Sequence, residues 1–426
     1  MNKVKLGFAQ TVITPNNPSA VFLDGYGDRL SPANSVRDDL YAKVCVFISG
    51  EQIFILFSLD LIGLRERTYE LVSDQISEIT GIDKSNFALA CTHTHSAPAT
   101  GLLDENPINY DYFAFVGTKC AEIAKTAINN ACEGTVSYEI LPEELQYGYN
   151  RRGRNVINRS IRCAVFRDGD QKIKGAICSA NCHAVIQDGQ AISADWLSEL
   201  NKISTPDTPI MFLQGRGADI DPQMHIYTDR EQFTVTMGKS FADEITNGLH
   251  SSVSQITLNE KMEITYEYAR IPMLKLTDAQ ALKDKAKELL NNHLTHPDEK
   301  YRHYFFRELQ WHRKMLRMIE MGEDFAVTVP LQMMKIGKQC AFLFVPFELL
   351  TLTGDKLEKL CVDNGYAPQS VFVCGYTNVT MGYLAPPEEF ETGGYEVDYS
   401  AQWYNIPYTS TDSEPAVIKW FENHIK

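Results

Sequence analysis

No window of the 426-residue sequence approaches the roughly 18 consecutive apolar residues that cross a bilayer, so no stable membrane insertion is expected. Basic residues are in the minority, 40 Lys and Arg against 55 Asp and Glu, and the formal net charge is −15. An acidic surface repels nucleic acid and anionic lipid, and neither is an expected partner. The ten cysteines include no CxxC pair, and Cys45, Cys91, Cys163 and Cys178 lie inside apolar strand-like runs. That pattern predicts buried free thiols in a reducing compartment rather than a disulfide framework. The first residues show no apolar stretch after Lys3 and Lys5, as a leader would, and a cytoplasmic protein is expected. No internal repeat, low-complexity tract or flexible linker interrupts the chain. One domain over 1–426 is predicted, with a helical insertion at 277–321 where Lys, Glu, Leu and His dominate.

What is present is a set of apolar strands that end in chemistry. Phe87-Ala88-Leu89-Ala90-Cys91 reads as a buried strand that empties into Thr92-His93-Thr94-His95-Ser96-Ala97-Pro98. In extended backbone, alternate side chains share a face, so His93 and His95 are expected to point the same way. Two such imidazoles suit a metal, or one ligand beside a proton carrier; they are equally compatible with a plain loop. A second apolar strand, 174–180, runs into Asn181-Cys182-His183-Ala184 and again delivers a histidine at its end.

Carboxylates and arginines occupy the same kind of junction. Asp60 ends the strand 52–59, either as a helix N-cap or as an acceptor behind a metal-bound imidazole. Arg151 and Arg152 follow Tyr149-Asn150 in a polar loop, where arginine is solvated or orients a substrate oxygen. Asp195 lies in Ser193-Ala194-Asp195-Trp196, a cap-like sequence. Asp219 and Asp221 sit in the turn from Gln214-Gly215 to Pro222, which lacks the lysine of a phosphate-binding loop. Glu348, in Pro346-Phe347-Glu348-Leu349, is read in the first turn of a helix reaching about residue 363, either as a macrodipole partner or as a metal carboxylate. An aromatic, glycine-rich tail carries Tyr383 and Tyr395.

In this order these motifs resemble the amidase domain of the neutral (non-lysosomal) ceramidases. The resemblance runs from Gly7 and Thr14-Pro15, through both histidine motifs, Asn150-Arg151 and Pro346-Phe347-Glu348, to Tyr383 and Tyr395. It implies an α/β fold of two stacked mixed β-sheets flanked by helices. It also implies one zinc held by His93, His183, Glu348 and Tyr383, with His95, Arg151 and Tyr395 facing the substrate. The twelve-residue step between the two tyrosines fits the family's pair. Asp60, Asp195, Asp219 and Asp221 are expected behind the ligands or beside the substrate. One departure matters: the family's Gly-Asp-x-Ser-Pro-Asn reads Ala218-Asp219-Ile220-Asp221-Pro222-Gln223 here. Asp221 excludes a serine acyl-enzyme and leaves a route through metal-activated water.

The expected function is therefore zinc-dependent hydrolysis of a linear amide in a small molecule, an N-acylated amine or amino alcohol. His95 would protonate the leaving nitrogen, and Arg151 with Tyr395 would steady the oxyanion. The family's immunoglobulin-like domain and secretory leader have no counterpart in the sequence, which disfavours a long-chain ceramide in a membrane. Alternatives are an esterase or lactonase on the same site, and a non-catalytic protein that keeps the cleft. A TIM-barrel amidohydrolase is disfavoured because several strands precede the HxH motif and no eightfold βα alternation follows. The oligomeric state is not specified by any motif.

Overall fold

Apolar runs close into three main sheets in the computed structural model, which describes residues 3–103, 106–142 and 147–426. The first sheet orders Lys5–Val12, Tyr41–Ser49, Gln52–Leu59 and Phe87–Cys91, with only the last pair parallel. The second orders Ile210–Gln214, Ile173–Ala180, Ile161–Asp168, Gly134–Leu141 and Gln255–Ile256, with only the first pair parallel. The third orders Met262–Pro272, Ala326–Ile336, Cys340–Phe344 and Val371–Cys374, again with one parallel pair at its end.

The first and third sheets meet edge to edge. Ala90 bridges Thr377, Asn378 N–H donates to Leu89 O at 2.7 Å, and Leu89 N–H donates to Asn378 Oδ1 at 3.0 Å. Together they form one layer stacked on the second sheet. Phe54, Leu56 and Ala88 of the first sheet and Met334, Phe342 and Phe372 of the third pack there against Val136, Phe166, Ile177 and Met211. The opposite face of this joint layer, with Val44, Phe57, Leu89, Leu343 and Val371, is covered by helices Glu66–Thr80, Tyr110–Asn129 and Thr351–Asp363. Phe233, Met237 and Phe241 of helix Arg230–Leu249 cover Cys178 and Phe212 on the outer face of the second sheet. Mixed sheets in two layers between helices are the architecture the sequence motifs imply. Strands buried on both faces read as near-continuous apolar runs, which is why these segments were legible.

Helices Ala279–Thr295 and Glu299–Met321 form a hairpin between the paired strands Met262–Pro272 and Ala326–Ile336. All ten cysteines are free, and Cys132 alone is not buried. Among the described residues no helix is long and apolar enough to cross a membrane.

One local expectation is corrected, and one strand was not foreseen. Glu348 is not in a helical first turn: it lies in the short strand Glu348–Leu349, parallel to Tyr383–Leu384, and the helix begins at Thr351. Strand Met262–Pro272 gave no apolar signal because most of it is only partly buried. The arrangement that matters for function is the placement of the parallel pairs. The loops leaving the C-terminal ends of Phe87–Cys91, Ile173–Ala180, Cys340–Phe344 and Val371–Cys374 carry His93, His183, Glu348 and Tyr376 into one region, where ligands sit in open α/β sheets.

Candidate active site

The chain leaves strand Phe87–Cys91 and kinks at His93, whose φ of 64° is left-handed. The expected extended backbone across the HxH motif is thus replaced by a strained residue, pinned on both sides. His93 N–H donates to Leu61 O at 2.9 Å, Thr94 bridges Ala184, and His95 N–H donates to Ala184 O at 3.1 Å. His93 and His95 face a common centre because of this kink, not because of strand pleat. Strain of this kind persists only where the surroundings over-determine it. His183 follows Ala180 and joins them: its ring centroid lies 4.9 Å from that of His93 and 5.9 Å from that of His95.

Backbone carbonyls fix the protons on these rings. His93 Nδ1 is 2.6 Å from Ile62 O, His183 Nδ1 is 2.7 Å from Gly217 O, and His95 Nδ1 is 3.2 Å from Gly25 O. A carbonyl only accepts, so each Nδ1 carries the hydrogen and each neutral ring presents a bare Nε2. His93 Nε2 and His95 Nε2 are nevertheless 3.1 Å apart. Glu348 Oε2 is 3.4 Å from His93 Nε2 and 3.5 Å from His183 Nε2. His183 Nε2 and Glu348 Oε2 are buried without a hydrogen-bond partner. Lone pairs crowded in this way call for a cation at their centre. Four ligands about 2.0–2.1 Å from a tetrahedral ion lie about 3.3 Å from one another, close to the three separations here. His93, His95 and His183 meet the geometric condition for a metal-binding group, and the donor set fits an ion such as zinc.

Electrostatics keep the donors ready. Burial pushes the His93 imidazole down to about 4 and the His95 imidazole well below its usual value, so both are neutral near pH 7. Burial alone would raise Glu348, but His93, His183 and Tyr404 outweigh it and hold the carboxyl well below the usual range. Tyr404 O–H donates to Glu348 Oε1, and the Tyr376 ring lies 4.2 Å from that of His93.

Tyr383 is the cross-strand neighbour of Glu348. Its hydroxyl accepts from Arg151 Nη2 at 3.0 Å. Arg151 also donates from Nη1 to Asp221 Oδ1 at 3.1 Å and from Nε to Glu396 Oε1 at 2.8 Å. The Tyr395 ring stands 5.6 Å from Tyr383, under the same guanidinium, and is 41% exposed at the site's mouth. Asp221, the residue standing where the family has serine, is an acceptor for Arg151 and lies 3.7 Å from His183 Nδ1.

The other three acids lie behind this centre, away from the imidazoles. Asp60 Oδ2 accepts from Tyr41 N–H and Asn201 Nδ2, both at 2.9 Å, so the acceptor behind His93 is Ile62 O instead. Asp195, with φ 60°, accepts from the N–H groups of Gln187 and Trp196 at 2.7 Å and shapes the loop after His183. Asp219 Oδ1 binds Thr351 N–H at 2.9 Å and Oδ2 binds Asn150 Nδ2 at 2.8 Å, tying the arginine loop to the segment after Glu348.

Sequence reasoning assigned no role to Glu396, Glu389, Tyr404 or Arg29. Glu396 and Glu389 are almost fully buried. Arg152 donates to both, with its Nε 2.7 Å from Glu389 Oε2. Arg29, also buried, donates to Asp24 O at 2.9 Å, to His95 O and to Ser96 Oγ at 3.1 Å, and so locks the HxH loop. An acid one residue after an assigned tyrosine was the available signal for Glu396.

A search of curated proteins and a scan against family models find no match. Solved structures do match in fold. Neutral ceramidase from Pseudomonas aeruginosa aligns with 100% of this chain and 74% of its own, with TM-score 0.75 at 15% sequence identity. A ceramidase complexed with C2 aligns with 100% of this chain and 75% of its own, with TM-score 0.73 at 14% identity. The fold of this chain is that of the neutral ceramidases.

Proposed function

We propose that this chain is a metal-dependent hydrolase that cleaves a linear amide in a small molecule, with zinc as the ion. The observation that carries the reading is the crowding of bare Nε2 atoms and the Glu348 carboxylate around one buried point. His93, His183 and Glu348 would hold the ion, with Tyr383, the cross-strand neighbour of Glu348, as the fourth ligand that the family resemblance implies. When bound, such an ion supplies Lewis acidity, making water more acidic and a carbonyl more electrophilic. The neighbours are named for ceramide hydrolysis, itself the cleavage of an amide, which supports the reaction class.

The chain's own groups supply the rest. His95 Nε2, bare because Nδ1 is held by Gly25 O, takes a proton from the attacking water and returns it to the departing nitrogen. Amide cleavage needs that second transfer, since an unprotonated amine anion does not leave. Arg151 uses three of its five N–H donors on Glu396, Asp221 and Tyr383, so its plane is fixed while further donors remain for the substrate oxygen. Tyr395 closes the mouth above it. Asp221 neutralises part of that charge and leaves no hydroxyl nucleophile at its position.

The test is turnover of a panel of N-acyl amines and matched esters by metal-stripped and zinc-restored protein. Amide cleavage that returns with zinc and is lost in His95→Ala supports the reading. Ester cleavage alone, unchanged in His95→Ala, would make the chain an esterase. Neither activity, with zinc bound, would make it a non-catalytic binding protein.

A further inference from the structure

The helical hairpin is docked over the mouth of this site. Lys300 Nζ lies 3.0 Å from Asp28 Oδ2. A Cβ at Gly27 would meet the Tyr304 hydroxyl at 3.0 Å. The Arg307 guanidinium stands 4.3 Å above the Trp403 ring, and Tyr304 meets that indole edge-on at 5.4 Å. Between the hairpin and the loop 24–29 lies a cavity of about 340 Å³, walled by Tyr26, Leu103, Tyr304, Arg307, Tyr395 and Trp403. A second cavity of about 170 Å³ shares Leu103, Arg307 and Trp403 with it.

The cavity meets His95 through its wall. Gly25, on its wall, leaves no room for a Cβ beside the His95 ring, and Tyr26 meets that ring at 5.6 Å. Tyr395 belongs both to this wall and to the Arg151 contact. A group bound here stands behind Gly25 and Tyr26 from His95 and reaches the Arg151 side of the site past Tyr395, next to the bond those residues would serve.

The wall chemistry is specific. Four aromatic residues line it, Tyr26, Tyr304, Tyr395 and Trp403; Arg307 covers one face of the Trp403 ring and the Tyr26 hydroxyl donates to Val185 O, which leaves the remaining ring faces and the Tyr304 and Tyr395 hydroxyls to a ligand. Among the described lining residues Leu103 is the one aliphatic side chain. A straight alkyl chain would strip water from the polar rims and give nothing back. A hydroxylated ring satisfies both: its C–H face stacks on the aromatics and its hydroxyls meet the donors and acceptors. The volume suits a group of that size.

We propose that this cavity is a subsite for a saccharide ring carried on the nitrogen of the scissile amide, so that the substrate is an N-acylated amino sugar. This deepens the amide-hydrolase reading above and rests on it for the reaction. Water adds to the acyl carbon, the C–N bond breaks, the acyl part leaves as a carboxylate, and the exocyclic nitrogen on the sugar takes both protons of that water and leaves as an ammonium group.

The experiment is calorimetric titration of the full chain with N-acetylglucosamine and with N-acetylhexylamine. It is run on the unaltered protein, Trp403→Ala and Tyr304→Phe, each checked for an unchanged melting temperature. The sugar amide is expected to bind at least tenfold more tightly than the alkyl amide. It should weaken at least tenfold in Trp403→Ala and at least threefold in Tyr304→Phe, a variant that loses only a hydroxyl; if Trp403→Ala does not fold, Tyr304→Phe decides. No sugar binding at 10 mM, equal or tighter alkyl binding, or sugar binding untouched by the deciding variants overturns the subsite. Turnover of both amides is read separately. Sugar binding without turnover of any amide overturns the hydrolase reading and leaves the subsite standing; alkyl-amide turnover without sugar binding does the reverse.

Discussion

Glu396→Gln separates holding an arginine from merely filling space. Glu396 accepts from Arg151 Nε at 2.8 Å and from Arg152 Nη1, and its side chain is 2% exposed. Glutamine keeps the shape, removes the charge and turns an N–H toward one of two guanidinium groups. Breaking one partner of a buried ion pair costs about 3–5 kcal/mol. With an unfolding entropy of about 2.1 cal/mol/K per residue, a chain of 426 residues melts about 3–6 °C lower for that loss. The rate should fall further. Arg151 would no longer be held against Tyr383, and a displacement on the order of 1 Å in such a group costs roughly 100-fold in kcat with little change in KM. Glu389→Gln is the control. Glu389 pairs with Arg152 Nε at 2.7 Å and Arg154 Nε at 2.9 Å, and no contact joins it to Arg151. It should melt lower by a similar amount while keeping kcat within about threefold of the unaltered chain. Scanning calorimetry and steady-state kinetics on the best amide substrate read both numbers. Equal rate losses in the two variants would show that the network serves stability alone, and unchanged kcat in Glu396→Gln would remove Arg151's positioning from the mechanism.

Tyr404→Phe takes the hydrogen bond from Glu348 Oε1, and zinc affinity measured by competition with a chelator should fall roughly 10-fold or more, the usual effect of losing a partner behind a ligand. His95→Ala should lower amide turnover at least about 100-fold and an activated ester far less, because only the amine must leave protonated; equal losses for both would assign His95 to metal binding instead. Lys43, buried between the sheets with Nζ 2.7 Å from Ile210 O, is pushed down to about 8 by desolvation. The unfolded chain then binds more protons than the folded one between about pH 8 and 10.5, so this residue makes stability rise with pH across that window. Denaturant titration should show the rise, worth up to about 3 kcal/mol, and its absence in Lys43→Met; an identical pH slope in both would refute the assignment.

The sheet strands and both histidine motifs were legible because each is a dense apolar run that stops abruptly at a polar residue. The hairpin was legible from its change in composition, though its docking against Trp403 and the loop 24–29 was not, because that contact joins residues far apart in sequence. Glu348 was misplaced in a helix because a two-residue strand leaves no periodicity to read. The convergence of His93 and His95 was foreseen for a reason that does not operate: a left-handed φ at His93 does what pleat was expected to do. Asp60 looked like a site acid because it ends a strand and Asp219 because it lies in a glycine-rich turn, yet their oxygens are taken by backbone and amide donors. Backbone carbonyls of Ile62, Gly217 and Gly25 do the orienting instead, and no residue type announces a carbonyl.

The most direct test is a zinc-loaded crystal with anomalous scattering measured at the zinc edge, together with metal content by elemental analysis. One zinc per chain is expected, about 2.0–2.2 Å from the Nε2 atoms of His93 and His183 and from a Glu348 oxygen. Protein that stays metal-free after loading, or zinc seated anywhere else, would contradict it.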